Sequence, residues 1–253
     1  MQRNVIDLMG HIVAGFPNYE ASLQSALGIA LGGAKYLEVQ FPFSDPNADG
    51  EAIANACEVS LSNGFNTKKG FSFIKELNSL FKEHNCTTKI LIMTYANILY
   101  TYGIKEFLKE AKSCEVWGII APDLSLENDE NLFSLAKNIG IEPIALIAKT
   151  TPTKRIEKLC KRSGEIIYVV ARNGITGAKT KIDEDLFAYI DLVKKHTNKP
   201  IALGFGIQNR DQINSLKGLV QIAVVGSAFT RHIQSLHSNF KEELCSFTKE
   251  LLS

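Results

Sequence analysis

Charge of one sign is missing from this chain: 28 basic residues stand against 27 acidic ones, for a formal net charge of +1. Proteins that bind nucleic acid or an acidic membrane surface carry a basic excess, so neither partner is expected. Cysteine is scarce and dispersed. Cys57, Cys86, Cys114, Cys160 and Cys245 form no CxxC pair and have no histidine nearby at zinc-ligand spacing, and the five histidines are equally scattered. That pattern excludes a disulfide framework, offers no metal site, and fits reduced thiols in a reducing compartment. Long apolar runs are absent too. Nothing approaches the ~18 residues of a membrane-spanning helix, and the first twenty residues lack the apolar core of a secretory signal. A cytoplasmic chain is the expectation. No glycine-rich or serine-rich linker divides the sequence, so one domain over residues 1–253 is expected. No Walker or Rossmann fingerprint appears, because GFGIQNR lacks the third glycine and the unit that should follow it.

What is present is a repeated alternation. Short apolar runs fall at His11 to Ala14, Tyr36 to Val39, Lys89 to Met93, Val116 to Ile120, Pro143 to Ile147, Ile166 to Val170, Pro200 to Leu203 and Gln221 to Val225. Several are continuous rather than alternating, as in parallel strands covered on both faces. Helical spacing fills the intervals, over 19–31, 71–83, 104–112, 128–138, 153–161, 184–196 and 209–217, with two more helices over 228–236 and 240–252. The PIAL of 143–146 returns at 200–203, an echo of one repeated unit. Eight strands, each followed by a helix, predict an α/β fold, a single (β/α)8 TIM barrel. Two connections are expanded, after the second and the sixth strand, and the last helix is an addition. Expanded loops of such a barrel open on its C-terminal face, where chemistry sits.

The first expansion begins inside LEVQFPFSDPNADG, residues 37–50. Glu38 lies near a strand end and Asp49 in the loop beyond. Two carboxylates in unlike surroundings form a reasonable acid/base pair, although a strand-end glutamate and an acidic turn are often only solvated surface. Glycine-bearing turns follow the last three strands: NGITG at 173–177, GFG at 204–206, and Gly226 with Ser227. Each alone is an ordinary turn. Together, on adjacent strands, they favour a phosphate site, since backbone N–H groups can approach an anion there and a helix start adds its positive end. Tyr168 sits mid-strand and reads as packing; Tyr95, Asn97 and Asp123 read as capping or bridging side chains. Lys35 and Lys149 are not mid-strand, which disfavours a Schiff-base aldolase.

These motifs resemble a known family. PFSDPNADG with LEVQF before it, AGFP (14–17), TYAN (94–97), PDL (122–124), RNGITG (172–177), GFGI (204–207) and VVGSAF (224–229) are similar, in order and across essentially the whole chain, to the α subunit of tryptophan synthase. The resemblance implies a barrel that cleaves indole-3-glycerol phosphate to indole and glyceraldehyde 3-phosphate. It implies no cofactor in this chain, and a β-subunit partner that carries pyridoxal phosphate and accepts the indole, within an α2β2 heterotetramer. It assigns Glu38 and Asp49 as the catalytic carboxylates and Tyr168 as a tyrosine beside Glu38. Thr176 becomes a loop threonine that orders Asp49. Gly177, Gly206, Gly226 and Ser227 become phosphate-binding positions, and Phe205 an aromatic wall of the indole pocket. The chain departs from the family pattern at Gln40 (commonly glycine), Glu51 (usually proline) and Lys149 (commonly proline). A leading helix is expected to be missing or reduced. Two other functions stay open on sequence alone, a stand-alone indole-releasing lyase and a regulatory binding subunit with negligible turnover.

Overall fold

The computed structural model describes residues 5–171 and 184–253. Strands β1 (Asp7–Val13), β2 (Tyr36–Gln40), β3 (Lys89–Met93), β4 (Gly118–Ile120), β5 (Glu142–Ala148), β6 (Ile167–Val170), β7 (Ile201–Gly204) and β8 (Ile222–Val225) follow one another around a closed barrel. Neighbouring strands are parallel, and β1 pairs with β8 to close the ring. Closure leaves no strand edge unpaired. All eight apolar runs of the sequence are strands, with ends moved by a few residues.

Side-chain parity sorts each strand into two layers. Tyr36 of β2, Met9 of β1, Leu91 and Met93 of β3, Ile144 of β5, and Ile222 and Val224 of β8 form the inner cluster. Leu37 and Val39, with Leu8, Ile12, Ile90 and Ile92, belong to the larger core between barrel and helices. Because β2 alternates, Glu38 and Gln40 share the inward side with Tyr36. Both are buried. The register pairs His11 with Glu38 and Glu38 with Leu91, so His11 stands beside Glu38 in the same layer.

The helices are α1 (Tyr19–Leu31), α2 (Glu51–Ser62), α3 (Thr67–Glu83), α4 (Ala96–Tyr102), α5 (Ile104–Ser113), α6 (Leu132–Asn138), α7 (Thr153–Arg162), α8 (Glu184–Lys194), α9 (Arg210–Asn214), α10 (Ser227–Ser235) and α11 (Phe240–Leu252). Asparagine starts three of them in one way: Asn18, Asn66 and Asn209 are extended, and their side chains accept from the N–H of Ala21, Lys69 and Gln212. The cap at Asn66 explains why α3 begins a turn before the expected Phe71. Much of the long β2–β3 connection is a further helix, α2, which is not among the helices expected from spacing. The helix expected over 128–138 is interrupted instead. A 3-10 turn spans Leu126–Asn128, Glu130 and Asn131 take positive φ, and the Asp129 carboxylate accepts from the N–H of Asn131 and Phe133 to restart the chain as α6. The C-terminal helix α11 lies against α1, where a Cβ at Gly28 would come within 2.3 Å of the Lys241 carbonyl oxygen. Only glycine permits that approach.

Candidate active site

The cleft at the C-terminal mouth of the barrel gathers residues from most of its rim. Glu38, Asp49, Tyr168, Phe205, Gly206, Gly226 and Ser227 all line it. Thr176 and Gly177 lie outside the described residues. The remaining side chains singled out by sequence therefore converge from β2, the loop that follows it, β6, and the turns after β7 and β8.

Glu38 is 4% exposed. Its Oε1 lies 3.3 Å from His11 Nδ1, and its Oε2 has no hydrogen-bond partner among the described residues. Burial alone would hold the imidazole neutral; the Glu38 carboxylate beside it, then the charge of Asp49 and contact with Gln40, outweigh that effect and raise the His11 pKa. The imidazolium form of His11 is favoured accordingly.

Asp49 is held from two sides. Its Oδ2 accepts from Gln40 Nε2 at 2.7 Å and from the Tyr95 hydroxyl at 2.8 Å. The Tyr95 oxygen in turn accepts the Ala48 N–H at 3.1 Å, so a residue in the turn after β3 pins the loop on which Asp49 rides. Gln40 also contacts Cys57 Sγ at 3.4 Å, joining the site to α2. Burial raises the Asp49 pKa despite His11, Tyr95 and Gln40, all of which favour the charged form. Tyr168 titrates well above the ordinary tyrosine range, first because of burial and then because the charges of Glu38 and Asp49 oppose a phenolate. At neutral pH its hydroxyl is a donor.

The opposite wall offers backbone. Gly206 has φ +85°, a conformation glycine adopts freely, and a Cβ there would meet nothing within 4 Å. Gly226 caps α10, which has no side-chain cap, and lines the cleft with Ser227, so the positive end of the helix dipole lies at the cleft. A chain of contacts braces the turn after β7: Gln208 Nε2 donates to the Gly206 carbonyl at 2.8 Å, and Arg231 of α10 donates to Gln208 Oε1. Phe205 is 2% exposed and lines the cleft beside it. Apolar walls with an anion-seeking end suit a flat aromatic group carrying a phosphate.

Sequence reasoning misses His11, which is only one of five scattered histidines, and leaves Gln40 as an unexplained departure. The register that brings both against the carboxylates is a tertiary property. Tyr95 and Asp123 do bridge or cap as expected, Tyr95 onto Asp49 and Asp123 onto the Ala96 N–H that starts α4; Asn97 is exposed on α4. Glu51 opens α2 as an acidic first-turn residue, which the helix dipole favours. Among the described residues no group of three or more His, Cys, Asp or Glu side chains could hold a metal ion, and no helix is long and apolar enough to cross a membrane.

Comparison with known proteins shows the family. The family model described as tryptophan synthase alpha chain matches residues 1–251. The tryptophan synthase alpha chain of Helicobacter hepaticus is 55% identical over 230 residues, covering 90% of this chain and 86% of the relative. That of Methanocaldococcus jannaschii is 37% identical over 222 residues, covering 88% and 77%. Among solved structures, a mutant tryptophan synthase alpha subunit from Pyrococcus furiosus superposes with a TM-score of 0.86 at 29% identity, over 97% of each chain. The chain therefore belongs to the tryptophan synthase alpha chain family, and with it to the carbon–carbon lyases that release indole from indole-3-glycerol phosphate.

Proposed function

We propose that Glu38 and Asp49 carry out that cleavage with the substrate phosphate seated on the turns after β7 and β8. The supporting observation is that a buried carboxylate, Glu38, and a partly buried one, Asp49, each with its own set of partners, share one cleft with the open Gly206 and Gly226 turns. The reaction is a retro-aldol step. A proton on indole C3 turns the ring into an electron sink, and loss of the proton from the glycerol hydroxyl drives the carbon–carbon bond apart, leaving an aldehyde and indole. The Glu38 carboxylate takes the hydroxyl proton and returns a proton to C3, so no net proton is consumed. Asp49 accepts from the indole N–H and offsets the positive charge that grows on the ring. Tyr168 stands beside Glu38 as a neutral donor, Phe205 forms part of the aromatic slot, and Gly206, Gly226 and Ser227, with Gly177, hold the phosphate. Thr176 orders the Asp49 loop. Binding energy spent on the phosphate, remote from the breaking bond, positions that bond.

The chain works with a β subunit, as the family implies. In this reading the assembly is an α2β2 heterotetramer in the cytoplasm, the partner carries pyridoxal phosphate, and indole passes to it directly. The chain itself uses no cofactor. The deciding experiment is indole release from indole-3-glycerol phosphate by wild type and Glu38→Gln, with and without a β subunit. Wild-type turnover that the partner increases, and loss of turnover in the variant with phosphate-ligand affinity retained, support the reading. Near-normal turnover in Glu38→Gln overturns the proton-shuttle role, strong activity alone with no partner effect favours a stand-alone lyase, and negligible wild-type turnover in both settings favours a regulatory subunit.

A further inference from the structure

His11 does more than fill space at the barrel mouth. It is 4% exposed, lies in register with Glu38 on the adjacent strand, and places Nδ1 3.3 Å from Glu38 Oε1. A buried ion pair that serves only stability satisfies its remaining donors and acceptors within the protein, because an open charged atom in a dry site is costly. By hydrogen-bond geometry two atoms of this pair, His11 Nε2 and Glu38 Oε2, have no partner among the described residues, with the Gln40 amide near the imidazole and the Tyr168 hydroxyl near the carboxylate. Both residues line the cleft. The ring also borders the turn after β8, since a Cβ on Gly226 would stand 3.8 Å from His11 Cγ. His11 thus lies between the proposed proton shuttle and the proposed phosphate turn.

We infer that His11 is a positioning residue for Glu38, an imidazolium that ties down one carboxylate oxygen so that the other is turned to the substrate. The inference rests on the assignment of Glu38 as the shuttle. A carboxylate that must take a proton from one substrate atom and return one to another has to keep a single orientation through both transfers, and one fixed oxygen provides it. The charged groups around the ring favour the imidazolium: Glu38 from β2 in contact and Asp49 from the following loop, with the Gln40 amide from β2 also acting on it. Facing the same cleft, Tyr168 on β6 is neutral at working pH.

The test compares His11→Phe, which keeps a ring but no donor, with His11→Asn, whose amide can donate from near the Nδ1 position. Both are assayed for indole release across pH beside Glu38→Gln. The expected result is at least a thirtyfold fall in kcat for His11→Phe with KM changed less than threefold, and recovery of at least fivefold of that loss in His11→Asn. Wild type should also lose kcat on the alkaline side as the imidazolium deprotonates, a limb absent from His11→Asn because its donor does not titrate. A kcat for His11→Phe within twofold of wild type while Glu38→Gln is inactive overturns the inference and leaves the shuttle assignment standing. An alkaline limb that persists in His11→Asn overturns it as well. Normal turnover in Glu38→Gln removes the shuttle itself. Should His11→Phe fail to fold, the side-chain 15N resonances of wild type and Glu38→Gln decide: the His11 titration should move down by at least one pH unit in Glu38→Gln, and an unmoved titration overturns the pairing.

Discussion

Gln40 Nε2 donates a 2.7 Å hydrogen bond to Asp49 Oδ2, tying the last residue of β2 to the loop that follows it. Asp49 thereby has a donor rooted in the barrel as well as one from Tyr95, and its orientation does not depend on the loop alone. The glutamine that departs from the family pattern is a second anchor.

Replacing it separates the two anchors. In Gln40→Leu, Tyr95 alone would hold Asp49, and kcat for indole release is expected to fall about tenfold, the low end of what a hydrogen bond to a charged group contributes. KM should change little, because the phosphate turns are untouched. Steady-state kinetics on the purified chain measure both. An unchanged kcat would show that Tyr95 suffices.

The barrel itself is legible in the amino-acid sequence, because eight apolar runs separated by helical spacing have few other ways to bury both faces of every strand. The same holds for the convergence of Glu38, Asp49 and the turns after β7 and β8 on one cleft, which residue type and local pattern place at strand ends. His11 and Gln40 are not legible as site residues. Their roles depend on parallel register, which sets His11 level with Glu38, and on loop closure, which returns Asp49 to Gln40. Neither α2 nor α4 is signalled at its start, since each begins at a loop residue, Gly50 or Tyr95, that offers no side-chain cap. Residues 128–138 mislead for the converse reason: the helical spacing is real, but Glu130 and Asn131 take positive φ, and Asp129 bonds the N–H groups of Asn131 and Phe133 so that the helix starts only at Leu132.

Asp49 should cost the ligand-free protein stability. Burial raises its folded pKa above the ordinary value of 3.8, so between those two values the folded state binds more protons than the unfolded chain. Stability contributed by the protonated form is complete below 3.8 and is lost as pH rises through the folded value. Asp49→Asn cannot ionise. Its urea midpoint is therefore expected to exceed that of wild type at pH 7, with the gap narrowing as pH falls toward about 4, while its rate of indole release drops at least a hundredfold. A lower midpoint at pH 7 would mean that the lost hydrogen bonds from Gln40 and Tyr95 outweigh the relief of burying a charge.

The two glycines of the proposed phosphate seat should fail differently when a methyl group is added. At Gly206 the new Cβ meets nothing within 4 Å, but φ is +85°, so Gly206→Ala strains the backbone; a stability loss of about 1–2 kcal/mol is expected, seen as a lower urea midpoint. At Gly226 φ is −110° and the nearest atoms, Ile53 Cδ1 and His11 Cβ, lie at 3.6 and 3.7 Å, an ordinary contact distance. Gly226→Ala should therefore fold with nearly wild-type stability, yet its methyl group sits among cleft-lining side chains at the start of α10, where the phosphate oxygens would approach the backbone N–H groups. Calorimetric titration with glycerol phosphate should show at least a tenfold weaker Kd for Gly226→Ala. Wild-type affinity in that variant would move the phosphate away from the turn after β8.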